Sequence, residues 1–211
     1  MNSKNIRLEE RDFLILNLVH KFKFCLGRHI RKLADFSGVR AADRRLKVLV
    51  ESGYLKRQKY LYGIPYLYTL SHKGRILLGV NKRADQIHLE QITHDIYVIE
   101  TIIFYLRHYA LTLDEVVSEK ELHIQDGFGE RKHHPDFIIL NQDKKYAVEI
   151  ELTPKNRVRL EKNIKANYLN YEAQIWITDN QKVRALLESF SSKYPNMQIK
   201  NLKEMKKYDR V

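Results

Sequence analysis

The chain has 211 residues, of which 44% are apolar and 30% are charged, and its net charge is +12. No apolar run approaches the roughly 20 residues that a membrane helix needs, and the first residues, MNSKNIRLEE, lack the apolar segment of a signal peptide. The one cysteine, Cys25, excludes an intramolecular disulfide. We therefore expect a cytoplasmic, globular protein of one or two domains with no membrane partner.

The positive charge is concentrated near the N-terminus. Residues 1–80 contain 17 Lys and Arg against 6 Asp and Glu, whereas residues 81–211 contain 21 against 20. This asymmetry predicts a polyanion-binding domain joined to a nearly neutral one. Nucleic acid is the expected polyanion, because no lipid-anchoring signal accompanies the charge. A merely solubilising surface is the alternative.

The first 80 residues show the pattern of three helices followed by a β-ribbon. Apolar spacing, a turn at Ser37-Gly38 and a cap at Gly53 predict helices at about 8–22, 28–36 and 40–51, and strands at 54–60 and 66–70. Gly27 is expected to interrupt the helical pattern. This order is typical of a winged helix-turn-helix, and the segment from Tyr68 to Gly74 resembles the end of the wing in that family.

The winged-helix resemblance implies a surface for double-stranded DNA. In that family the third helix enters the major groove, and the wing approaches the backbone or the minor groove. The residues expected to contact DNA are Arg40, Arg44, Arg45 and Lys47 of the third helix and Lys56, Arg57 and Lys59 of the wing. A winged helix that contacts only protein is the alternative.

Residues 81–88 are polar and lack periodicity, so they are predicted to link domain 1–80 to a second domain, 89–211. Apolar spacing predicts the elements of this second domain in the order α-β-β-β-α-β-α. They are a helix at about 89–109, a strand at 115–124 with Glu119 and Glu121 on one face, a hairpin, a helix from Thr153-Pro154 to about 171, a strand at 174–178, a helix at 180–192 and a candidate last strand at 197–202.

The hairpin within residues 133–155 carries a row of acids. A turn at 141–144 that pairs Leu140 with Lys145 places Asp136 opposite Glu149. The same register places His134 opposite Glu151, with all four side chains on one face. Facing acids destabilise a ladder by roughly 0.2–1 kcal/mol unless a cation lies between them. The pattern therefore predicts a carboxylate-lined site filled by a divalent cation or a lysine.

This order of elements, with Pro135-Asp136 on one strand and Glu149-Ile150-Glu151 on the next, resembles the PD-(D/E)xK nuclease superfamily, which has the restriction-endonuclease-like fold. The resemblance implies Mg²⁺ bound by Asp136 and Glu149, with Glu119 as a candidate upstream ligand. Glu151 stands where the motif lysine is expected, as in some active restriction enzymes, and Lys155 could reach back to supply the cation. The implied catalytic residues are Asp136, Glu149, Glu151 and Lys155.

The two halves together resemble the replication-relaxation family of plasmids and other mobile elements. The residues that carry the resemblance are His94-Asp95-Ile96-Tyr97-Val98 and the segment from Pro135 to about Tyr171. It implies a role in replication, relaxation or mobilisation, with a relaxase or replication protein as partner. A homodimer is a further candidate, because many winged helices dimerise and the long first helix of the second domain could mediate this. Three functions stay open: a DNA-binding accessory protein with a non-catalytic nuclease-like domain, a Mg²⁺-dependent endonuclease or nickase, and a winged-helix transcriptional regulator.

Overall fold

A computed structural model describes residues 6–80, 83–126 and 132–207. The chain divides into two compact units, Met1–Ile99 and Glu100–Val211, here called the N-terminal and C-terminal units. Each unit contains its own β-sheet together with helices, which confirms the predicted mixed α+β class. Among the described residues, no helix is long and apolar enough to cross a membrane.

The N-terminal unit contains the predicted three helices and two strands, and two short elements that were not predicted. Its strands form an antiparallel sheet in the order β1-β3-β2. Gly27 lies between the first two predicted helices as expected and is itself the first residue of α2, with Leu26 before it extended. The elements are α1 (Glu10–Lys21), β1 (Cys25–Leu26), α2 (Gly27–Leu33), α3 (Val39–Glu51), β2 (Leu55–Gln58), β3 (Leu67–Leu70) and α4 (His72–Leu77).

A buried acid connects the first and third helices. Asp12 is fully buried in the first turn of α1, where it accepts a hydrogen bond of 2.8 Å from the backbone N–H of Glu9. Arg45 of α3 donates to both oxygens of the same carboxylate, with Nε 2.6 Å from Oδ1. A buried carboxylate needs such a partner, because its desolvation is otherwise strongly unfavourable.

The C-terminal unit is built on a five-stranded sheet in the order β4-β5-β6-β7-β8. Strands β4, β5 and β6 are antiparallel neighbours, whereas β6, β7 and β8 run parallel. Helix α5 (Ile92–His108) leads from the N-terminal unit into this one. The elements that follow it are β4 (Val116–Ser118), α6 (Glu119–Gln125), β5 (Phe137–Asn141), β6 (Lys144–Ile150), α7 (Arg157–Asn170), β7 (Ala173–Ile177), α8 (Gln181–Glu188), β8 (Met197–Lys200) and α9 (Leu202–Lys207).

Helix α5 contains the point at which the two units divide, whereas the sequence placed the domain boundary at 81–88. The first turns of the helix pack in the core of the N-terminal unit, because Ile92 and Ile96 join the buried side chains of Phe24, Leu26 and Leu67. Apolar spacing predicted the helix but not the core against which its first residues pack.

The predicted hairpin register is confirmed. Leu140 pairs with Lys145 and Ile138 with Ala147, and the paired residues of β5 begin at Phe137, opposite Val148. The predicted pairs of Asp136 with Glu149 and of His134 with Glu151 therefore lie outside this ladder, and the ring of His134 contacts Asp126 instead. The last four residues of β6 are all buried, as expected for a central strand covered on both faces.

Two predictions of local structure are wrong, and capping explains both. The predicted strand 115–124 ends at Ser118, which forms a capping box with Glu121 and starts α6. Glu119 and Glu121 therefore lie on a helix and do not share a strand face. The helix predicted to begin at Thr153-Pro154 begins at Arg157, because the side chain of Asn156 accepts a hydrogen bond from the N–H of Val158.

Gly74 in α4 is a position where the fold tolerates no side chain. A Cβ there would overlap the carbonyl oxygen of Tyr54, which is rigid backbone. We expect Gly74→Ala to lower the free energy of unfolding by about 1–3 kcal/mol. Gly27→Ala is the matched control, since its Cβ would meet Tyr68 at an ordinary 3.7 Å. Equal denaturation midpoints for the two variants would contradict this packing.

Candidate functional site

Six exposed cations of the N-terminal unit lie on α3 and the β2–β3 hairpin and are here called the basic set. They are Arg40, Arg44 and Lys47 on α3, and Lys56, Arg57 and Lys59 on and after β2. In the hairpin between β2 and β3, the Arg57 guanidinium lies 4.0 Å from the centre of the Tyr66 ring. Stacking of this kind holds a long side chain in place and leaves its charge available.

Arg45 was predicted to face DNA with these residues, and the structure corrects this. Its guanidinium is bound to the buried carboxylate of Asp12, and its Nη2 donates to the backbone oxygen of Arg7 at 3.2 Å. The hydrogen bond with Asp12 raises the pKa of Arg45 further above its ordinary value, against a smaller opposing effect of burial. Arg45 therefore stabilises the unit, and its donors are used inside it.

A cavity of about 330 Å³ lies beside the basic set, between α2, α3 and the hairpin. Arg28 and Arg31 of α2 line it together with Arg57, and Val39 and Tyr66 supply apolar surface. The sequence analysis did not single out Arg28 or Arg31. Their spacing of three residues on a predicted helix, which puts them on one face, was the available signal.

Four predicted site residues of the C-terminal unit are treated together here. They are the acids Asp136, Glu149 and Glu151 with Lys155, and they are called the carboxylate cluster. Asp136 directly precedes β5, and its Oδ2 accepts a hydrogen bond of 2.6 Å from the backbone N–H of Ile150. That bond holds the aspartate at the end of β6, where its charge acts on Glu149. Both glutamates are almost completely buried. The structure therefore brings the three acids together at the end of β6, as the hairpin register predicts.

Glu149 is held by two residues that the sequence analysis missed. Oε1 of Glu149 lies 2.8 Å from His133 Nε2 and accepts a hydrogen bond of 2.9 Å from Asn167 of α7. Burial raises the pKa of Glu149, and the charge of Asp136 adds to this, whereas the bonds to His133 and Asn167 oppose it. Because folding raises this pKa, ionisation of Glu149 destabilises the folded state as the pH rises above the ordinary range of a glutamate.

Lys155 supplies a positive charge to this cluster. Its Nζ lies 2.6 Å from Oε2 of Glu151. Burial lowers the pKa of Lys155, but the bond to Glu151 and the charges of Glu149 and Asp136 together raise it above its ordinary value. The charged form thus stabilises the fold at any pH below the ordinary pKa of lysine, and this contribution is lost only as the pH rises through the raised pKa.

Glu119, the candidate third metal ligand, points elsewhere. It is the first residue of α6, and its Oε1 lies 3.6 Å from Nε2 of His123 on the next turn. Only its backbone reaches the cluster, since its N–H donates to the carbonyl oxygen of Asp136 at 3.0 Å. The strand on which Glu119 was expected to face the other acids is a helix at that position, which explains the difference.

A basic groove lies next to the carboxylate cluster, with a volume of about 1110 Å³. Strands β5 and β6, the segment before β5, and helices α6 and α7 form its walls. Its basic side chains are Lys132, His133, His134, Lys145, Arg159 and Lys162. Positive charge beside buried carboxylates is an arrangement that suits a phosphate-bearing ligand.

Comparison of the chain with protein-family models, with curated proteins and with solved structures gives no match.

The pairing of Lys155 with Glu151 predicts a specific loss of stability. We expect Lys155→Met to lower the free energy of unfolding at pH 7 by about 2–3 kcal/mol, because it leaves Glu151 buried without its cation. This is below the range for fully buried pairs, since the side chain of Lys155 is 31% exposed. Urea denaturation provides the measurement.

Lys165→Met is the matched control, since Lys165 is exposed on α7 and should change stability by less than about 0.5 kcal/mol. Adding Glu151→Gln to Lys155→Met should recover much of the loss, because it removes the buried charge. Equal effects of Lys155→Met and Lys165→Met would mean that the ion pair does not stabilise the unit.

Proposed function

We propose that this protein binds double-stranded DNA through its N-terminal unit and acts as an accessory protein in the replication, relaxation or mobilisation of a plasmid or other mobile element. The observation that carries the proposal is the basic set, which leaves six cations exposed on α3 and the β2–β3 hairpin of one small unit. Phosphate contacts of this kind supply most of the affinity of DNA-binding proteins.

The element order of the N-terminal unit supports the proposal. A helix, a short strand, two more helices and a two-stranded hairpin follow one another as in a winged helix-turn-helix. In that arrangement α3 would lie in the major groove and the hairpin would approach the backbone. Arg40 and Arg44 would be the contacts from the helix, and Lys56 and Arg57 those from the wing.

The C-terminal unit supports the nuclease-like part of the proposal. Its antiparallel strands β4, β5 and β6 are followed by α7 and the parallel strand β7, with acids where β6 ends. This agrees with the arrangement expected of the PD-(D/E)xK superfamily. Resemblance to the replication-relaxation family adds the plasmid context, and it makes a relaxase or replication protein, or a second copy of the chain, the proposed protein partner.

Replacing Arg40 and Arg44 together tests the DNA surface. We expect Arg40→Ala with Arg44→Ala to weaken duplex binding and to reduce the slope of log K against log[salt] by about 1.8, since each lost phosphate contact removes about 0.9. Fluorescence anisotropy with a labelled duplex at several salt concentrations measures both. The control is Lys165→Ala with Lys182→Ala, which removes the same charge from exposed sites on α7 and α8. A slope that falls equally in both pairs would contradict the assignment.

A Mg²⁺-dependent DNA nickase or endonuclease is the second candidate, and Lys155 is the observation that favours it. The donor set fits the metal, because Mg²⁺ prefers a few carboxylate oxygens, and Asp136 and Glu149 would hold it. When bound, Mg²⁺ would polarise a phosphoryl oxygen and make water a better nucleophile. Lys155 would stand in for the motif lysine from a later position in the chain, held by Glu151.

The other residues of the site have roles that follow from their contacts. His133 and Asn167 would keep the Glu149 carboxylate in one orientation, and the N–H of Ile150 would do the same for Asp136. The groove cations, among them Arg159 and Lys162, would hold phosphates beside the acids. These residues bind and orient, and the positive charge of Lys155 would lie near the reacting phosphate.

A nicking assay separates the two candidates. If the second holds, the wild-type protein with Mg²⁺ or Mn²⁺ should nick supercoiled plasmid, and Asp136→Asn should slow this by about 100-fold or more, since even indirect support of a metal ligand is worth 10–100-fold. Duplex affinity should not change in this variant. Asp143→Asn in the hairpin turn is the control and should nick normally. No nicking by the wild type would leave the accessory role, and equal nicking by Asp136→Asn would place the chemistry elsewhere.

A further inference from the structure

Three side chains of the C-terminal unit converge outside the carboxylate cluster. They are His123 of α6, Asp126 directly after that helix, and His134 shortly before β5. One ligand atom from each lies within 4.8 Å of the others. Oδ2 of Asp126 is 2.7 Å from Nε2 of His134 and 3.3 Å from Nδ1 of His123.

We propose that His123, Asp126 and His134 form a binding site for a transition-metal ion of the Zn²⁺ class. Two imidazoles and one carboxylate are a ligand set that Zn²⁺ accepts with water in the fourth position. The same set is unsuited to Mg²⁺, which prefers oxygen ligands. The site goes beyond the proposed function, because it uses none of the acids of the carboxylate cluster and none of the basic set.

The distances fit an ion after small movements. Tetrahedral Zn²⁺ with ligands at about 2.0–2.1 Å keeps its ligand atoms roughly 3.3–3.4 Å apart. The separation of His123 and Asp126 already has that value, and His134 would withdraw from Asp126 by about 0.6–0.7 Å. The ligand nitrogens of the two histidines lie within 4.8 Å of each other and would approach by at most about 1.4 Å. The two rings stand nearly perpendicular, with centroids 4.8 Å apart.

Partial burial gives the site part of its rigidity. The side chains of Asp126 and His134 are only 11% and 12% exposed, whereas that of His123 is 48% exposed. Two ligands are therefore largely fixed by their surroundings, and the third is on the solvent side, where an ion could enter. A preorganised pair with one adjustable ligand lowers the entropic cost of binding.

Glu119 contacts the edge of the His123 ring that is opposite the proposed metal site. Its carboxylate lies 3.6 Å from Nε2 of His123, the ring nitrogen opposite the one near Asp126. A carboxylate behind a ligating histidine fixes the tautomer and the ring orientation and increases the basicity of the ligand. Glu119 would thus serve a metal after all, through His123 and at a different site from the one that the sequence suggested.

A bound ion would also act on the neighbouring cluster. His134 follows His133, whose ring contacts Glu149, and both histidines line the basic groove. Coordination of His134 would fasten the segment before β5 to the end of α6. The position of His133 against Glu149 would become more rigid as a result, which ties this wall of the groove to metal occupancy.

Isothermal titration of the untagged full-length protein with Zn²⁺ tests the proposal, with Co²⁺ absorption reporting the coordination geometry. We expect one equivalent of Zn²⁺ to bind, and Co²⁺ to give the visible bands of a four- or five-coordinate site. Excess Mg²⁺ should not displace either ion. Affinity should fall at least about tenfold in His123→Gln and His134→Gln, and about tenfold in Glu119→Gln.

One further variant, Asp136→Asn, serves as the control. Asp136→Asn should bind Zn²⁺ as the wild type does, because it alters only the carboxylate cluster. His123→Gln changes a half-exposed side chain and should fold normally, so it decides the outcome if His134→Gln is unstable. Absence of stoichiometric Zn²⁺ binding, or wild-type affinity in His123→Gln, would overturn the site.

Discussion

Three carboxylates of the described chain, those of Asp12, Glu149 and Glu151, are buried away from water. Each would cost several kcal/mol without compensation, and each has acquired a specific partner. Asp12 is paired with Arg45, Glu151 is paired with Lys155, and Glu149 contacts His133 and Asn167. The delayed start of α7 at Arg157 keeps Lys155 in the preceding loop, within reach of Glu151.

The same requirement separates cations that are bound to a buried acid from cations that remain exposed. Arg45 is adjacent to Arg44 on α3, yet it is bound to Asp12, while Arg44 remains exposed. In the C-terminal unit Lys155 is bound to Glu151, while Arg159 and Lys162 line the groove. Under the proposed function, DNA phosphates would meet the exposed cations of each unit, and Lys155 would act only at the reacting phosphate of the second candidate.

The register of the β5–β6 hairpin was predicted correctly, whereas one helix cap and the partners distant in sequence were not. The register of β5 with β6 followed from alternation and a short turn, and it correctly brought Asp136 to the two glutamates. The Ser118 capping box can be found in the sequence, but the strand-like residues before it led to the wrong prediction of a strand through Ser118. Arg45 could not be assigned, since its partner lies 33 positions away. Asn167 was not singled out either, since its partner Glu149 lies 18 positions away.

A crystal structure of the protein with a short DNA duplex, grown with Ca²⁺ to prevent cleavage, tests the proposed role most directly. Phosphates should lie within hydrogen-bonding distance of Arg40 and Arg44, with α3 in the major groove and Arg45 still bound to Asp12. A duplex bound to another surface, with Arg40 and Arg44 facing solvent, would contradict DNA recognition by the N-terminal unit.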